Sequence, residues 1–64
     1  MLSLKKVNKA LAAEGLKMEL VKGAGYFYFL GEDVDLAREG VYVYRLNELS
    51  LETWIEEAKS RKIS

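Results

Sequence analysis

Apolar and polar residues repeat with a helical period at both ends of the chain and with a period of two in its middle. Leu4, Val7, Ala10 and Leu11 fall on one stripe behind Ser3, a natural N-cap, and the spacing predicts a helix over 3–14. Ala12, Ala13 and Glu14 favour that helix, Gly15 supplies a left-handed exit, and Leu16 offers the apolar contact that follows such a cap. Lys5, Lys6 and Lys9 lie off the stripe and read as a solvated face.

The middle of the chain reads as strands. Residues 16–22 put Leu16, Met18 and Leu20 on one side and Lys17, Glu19 and Val21 on the other. Gly23-Ala24-Gly25 has the character of a tight hairpin connection. A second strand is expected over 26–30 and a third over 41–46. This pair is apolar or aromatic on both faces. Phe27, Phe29, Val41 and Val43 share one face; Tyr26, Tyr28, Tyr42 and Tyr44 share the other, with Leu30 and Leu46 beside them. A phenol tolerates water at its hydroxyl, so the tyrosine face is expected outward. Arg45 has the parity of Val41 and Val43, which requires it to sit at the sheet's end. Gly31–Gly40 forms a longer connection, acidic at Glu32, Asp33 and Asp35, in which Val34, Leu36 and Ala37 can tuck a short turn against the body.

Ser50 caps a second helix, and Leu49 and Trp54 have the spacing of a hydrophobic staple. Leu51, Trp54, Ile55 and Ala58 form its apolar stripe. Its acids (Glu52, Glu56, Glu57) precede its bases (Lys59, Arg61, Lys62), matching the helix dipole, and Glu57 and Arg61 stand one turn apart. The expected fold class is α+β: helix, three-stranded antiparallel meander, helix, with both helices on one sheet face and 1–64 as a single domain.

Composition narrows the function classes. A chain of 64 residues buries a small share of its surface and gains from a staple, and with no Cys no disulfide supplies one. With no His either, a His/Cys zinc set is excluded, and no cofactor is expected. Lys and Arg total 10 against 10 Asp and Glu, a formal net charge of zero, which argues against strongly electrostatic nucleic-acid binding and against a polybasic membrane protein. No apolar run approaches a membrane span and no signal-peptide core is visible, so a cytoplasmic location is expected.

The usual nucleophiles and bases of covalent catalysis are missing, and Ser3, Ser50, Ser60 and Ser64 fall at helix ends or tails. Asp33 and Asp35 read as a solvated polar turn rather than an acid–base pair or a calcium loop. An enzyme is not expected. Lys22-Gly23-Ala24-Gly25-Tyr26-Phe27-Tyr28-Phe29 resembles the strand motif of RNA-recognition domains at Lys22, Gly23, Gly25, Tyr26 and Phe29. It departs at Ala24, where a base-stacking aromatic belongs, and the chain is too short for that family's four-stranded fold.

Two-faced strands in so short a chain leave one face for a partner. Self-association is the leading expectation, with Tyr26, Tyr28, Tyr42, Tyr44, Val21, Leu30 and Leu46 as the interface of a homodimer. Another protein is the next candidate occupant. The alternative is single-stranded nucleic acid stacked on the tyrosines, with Lys17, Lys22 and Arg45 as phosphate contacts. The stretches Gly25–Phe29 and Val41–Glu56 resemble small uncharacterised proteins encoded by phages and prophages. That resemblance implies an accessory protein that binds a host or phage component; it carries over no functional residue.

Overall fold

The computed structural model describes residues 2–35 and 40–63. Leu36 and Ala37, expected to tuck a turn against the body, lie outside the described residues.

Helix α1 spans Leu4–Ala13, and the Ser3 hydroxyl accepts from the Lys6 N–H at 3.2 Å. Its exit is a Schellman motif. Gly15 takes φ 77°, its N–H reaches the Ala12 carbonyl at 3.0 Å, and Leu16 N–H reaches Leu11 at 3.1 Å. This turns the chain back so that Leu16 and Met18 bury as they approach strand β1, Glu19–Lys22.

Strand β1 pairs antiparallel with β2, Phe27–Leu30, in the register Glu19 with Leu30, Leu20 with Phe29, Val21 with Tyr28 and Lys22 with Phe27. Paired residues point to one side. Leu20, Phe27 and Phe29 therefore share the core side, and Val21 and Tyr28 the outer side, as the sequence pattern required.

The expected third strand is reduced to one bridge. Val41 exchanges two bonds with Phe27, at 2.8 and 2.7 Å, and pairing stops there. The Val43 N–H turns back to the Val41 carbonyl at 3.1 Å, and Leu46–Glu48 winds into a single 3-10 turn. The Glu48 carboxylate holds the Arg45 N–H at 2.8 Å. The physical cause lies in the second helix, α2, Leu51–Ser60. Trp54 is fully buried there, its indole N–H needs an acceptor, and it takes the Leu46 carbonyl at 2.8 Å. A third strand continuing to Leu46 would hold that carbonyl in the plane of the sheet, away from an indole on the core side.

α2 begins as its sequence predicts. The Ser50 hydroxyl accepts from the Thr53 N–H at 3.2 Å, a cap worth about 1 kcal/mol. Both helices bury toward the core side of the ladder, joining Val7 and Leu11 of α1 and Trp54 and Ala58 of α2 to Leu20, Phe27 and Phe29 in one cluster. The Trp54 ring meets Phe27 edge-on at 5.3 Å and Phe29 at 6.4 Å, each contact adding about 0.5–1.5 kcal/mol beyond area burial. Lys59 reaches back to Glu14 at 2.9 Å across the helix pair.

The acidic connection is structural. Asp33 accepts the Lys17 N–H on its carboxylate at 3.0 Å, donates its own N–H to the Lys17 carbonyl at 3.2 Å and receives the Ile63 N–H at 2.7 Å. The Asp35 N–H donates to the Arg61 carbonyl at 2.7 Å, and Val34 bridges Lys62 and buries. Gly31 lets the chain pass this point: its φ is 148°, and a Cβ there would stand 2.2 Å from the Lys17 carbonyl oxygen. Among the described residues no helix is long and apolar enough to cross a membrane.

Candidate functional site

Ring contacts begin at the hairpin turn. Tyr26 follows Gly25, which takes φ 79°, and its ring lies over Gly23, where a Cβ would come within 2.5 Å of the phenol carbon. From there it touches two neighbours. Its centroid lies 5.8 Å from Tyr28 and 6.1 Å from Tyr42, with interplanar angles of 34° and 39°. Tyr28 leaves the outer side of β2 beside Val21 of β1, and Leu30 lies two residues further along that side. Tyr42 joins from the segment that the Val41 bridge holds against Phe27, and it remains 71% exposed. Tyr26, Tyr28, Tyr42, Val21 and Leu30 thus form one aromatic and aliphatic surface on the side away from the core.

Tyr44 and Leu46 do not belong to it. Beyond Val43 the chain no longer follows strand geometry, so the alternation that would have aligned Tyr44 and Leu46 with Tyr42 is lost. Leu46 is half-buried against the core. The Tyr44 ring lies beside Gly25, about 3.4 Å from where a Cβ would be, and lines a separate groove with Phe27 and Leu46.

The expected phosphate contacts do not gather on this surface. Lys22 pairs in register with Phe27 and so stands on the core side of the ladder, not with Tyr28. Arg45 lines the Tyr44 groove with it. Lys17 is at the opposite end of β1 from the turn, 3.9 Å from Glu32, in a depression it shares with Glu19 and Leu30. Among the described residues no three cations converge beside Tyr26, Tyr28 and Tyr42.

The outer edge of β1 is guarded. Asn8 of α1 places its side-chain amide against Leu20: the Leu20 N–H donates to Oδ1 at 2.6 Å and Nδ2 donates to the Leu20 carbonyl at 3.3 Å. This copies the bonding of a neighbouring strand at one residue. Sequence reading had no signal for it, since Asn8 lies 12 residues from Leu20. Among the described residues no group of acids could hold a metal ion, and no charged or polar residue is buried.

Comparison of the chain with family models, with curated proteins and with solved structures found no match in any of the three.

Proposed function

We propose that the chain is a small non-enzymatic protein-binding module that forms a homodimer through the outer side of its hairpin. The interface is Val21, Tyr26, Tyr28, Leu30 and Tyr42. The observation that supports this most is the contiguous Tyr28–Tyr26–Tyr42 ring contact on a side that neither helix covers. Tyrosines of this kind supply large, stiff contact area and are enriched where proteins meet. The Asn8 amide disfavours the competing mode, edge-to-edge pairing through β1. The face-packed dimer is therefore preferred. The resemblance of its strand and second-helix segments to small phage and prophage proteins supports an accessory role, binding a host or phage component.

The alternative, single-stranded nucleic-acid binding, uses the same rings for stacking. It is the weaker reading because Lys17, Lys22 and Arg45 lie away from them. Light scattering across a concentration series tests the dimer. The wild type is expected to pass from monomer to dimer, and Tyr28→Asp with Tyr42→Asp to stay monomeric. Tyr44→Asp is the control and should dimerise as the wild type does. A wild type that remains monomeric at millimolar concentration would overturn the reading, and oligonucleotide binding lost in the double variant would favour the alternative.

A further inference from the structure

The groove beside Tyr44 is a second feature, distinct from the dimer face. It has a volume of about 440 Å³, near the lower end of the range for small-molecule sites, about 300–1,000 Å³. Its floor is apolar: Leu2 and Leu4 at the start of α1, Phe27 of β2 and Leu46 of the 3-10 turn. Its rim carries Lys22, Tyr44 and Arg45.

Among the described residues Lys17 pairs with Glu32, Lys59 with Glu14 and Arg61 with Glu57. Lys22 and Arg45 are in no ion pair among the described residues, though both border the same apolar cleft. Glu48, the acid of that segment, turns its carboxylate onto the Arg45 backbone N–H instead. The register sets Lys22 on the same side of the ladder as Phe27, so one cation stands at the border of this cleft. The Tyr44 ring has Gly25 beside it and is 79% exposed, leaving ring surface open to a stacking partner.

We infer that this groove binds a small planar aromatic anion, with its ring between Tyr44 and the floor of Leu2, Leu4 and Leu46 and its acidic group between Lys22 and Arg45. An aryl carboxylate or sulfonate and a nucleoside monophosphate share that chemistry. A long aliphatic acid does not, because it has no ring to stack on Tyr44 and outgrows the groove.

Naphthalene-2-sulfonate is the probe, titrated into the isotopically labelled protein and followed by amide and side-chain NMR shifts. Saturable shifts confined to residues of the groove are expected, with a dissociation constant of about 1 mM or tighter for a ligand of this size. Lys22→Ala with Arg45→Ala should weaken binding at least about tenfold, since both charge-assisted contacts to the acidic group are lost. Tyr44→Ala should weaken it too. All three side chains are exposed, so the variants should fold as the wild type does, which the unbound spectra report. Adenosine monophosphate and 2-naphthoate are run in parallel. Binding of the nucleotide identifies a base and phosphate as the source, and binding of the naphthoate alone identifies an aryl acid. Absence of shifts, equal binding of neutral 2-naphthalenemethanol, tighter binding of dodecanoate, or indifference to the cation variants would overturn the inference. Because the dimer face lies outside the groove, Tyr28→Asp with Tyr42→Asp should leave this binding intact.

Discussion

The side-chain amide of Asn8 satisfies both backbone polar groups of Leu20, accepting at 2.6 Å and donating at 3.3 Å. A helix residue thereby stands in for a strand at Leu20, one of the positions of β1 where a foreign strand would otherwise dock. Asn8→Ala removes both bonds, and a loss of about 1–2 kcal/mol is expected by chemical denaturation. The same variant should associate further at high concentration, and that association should survive Tyr28→Asp with Tyr42→Asp, since it uses the edge. Unchanged stability and unchanged scattering would show that water replaces the amide without consequence.

Two glycines separate backbone strain from steric exclusion. Gly15 has φ 77° and open space around a built Cβ; Gly31 has φ 148° and a carbonyl oxygen 2.2 Å from that point. Gly15→Ala should therefore cost about 1 kcal/mol, the left-handed penalty alone. Gly31→Ala should cost more than about 2 kcal/mol, because the strain adds to a backbone clash. Thermal midpoints of the two variants should rank in that order, and a reversed order would contradict the geometry at Lys17.

Trp54 holds the 3-10 turn to α2 through the Leu46 carbonyl. Trp54→Phe keeps most of the apolar volume but leaves that carbonyl without its donor, so about 1–3 kcal/mol should be lost. Hydrogen exchange should localise the effect, with faster exchange in 44–48. Uniform acceleration across α1 and α2 would mean that the indole acts only as core volume.

Asp33 ties the turn after β2 to the chain entering β1 by receiving the Lys17 N–H. The bond is solvent-accessible, so Asp33→Ala should cost only about 1 kcal/mol. Asp33→Asn retains an acceptor oxygen and should cost less. Equal losses in the two variants, read from denaturant midpoints, would assign the effect to charge rather than to the bond.

Much of the fold could be read from residue spacing. Ser3, Gly15, Ser50 and the Leu49–Trp54 staple are local signals; both helices start, and the first one stops, where those signals put them. The inward Phe27 and Phe29 followed from alternation and from the wetter chemistry of the phenols. The third strand failed because β-branched and aromatic residues at 41–44 satisfy a strand pattern whether or not a neighbour is there to pair. The parity conflict at Arg45 pointed to an end of the strand, but pairing already ends at Val41. What it could not show was the acceptor demanded by a buried indole 8 residues downstream of Leu46. That single non-local bond divides the expected tyrosine face, leaving Tyr26, Tyr28 and Tyr42 together and sending Tyr44 to the groove. Lys22 stands on the core side by the register of β1 itself, whereas Arg45 follows the point where strand geometry ends.

With the chain's one tryptophan at 0% exposure against Phe27 and Phe29, the molecule contains an internal optical gauge. Its emission should be short-wavelength in the folded state and should shift to the red only when the interior opens. Occupancy of the outer tyrosines or of the groove should leave that wavelength fixed, so unfolding and ligation can be followed in one sample without a label.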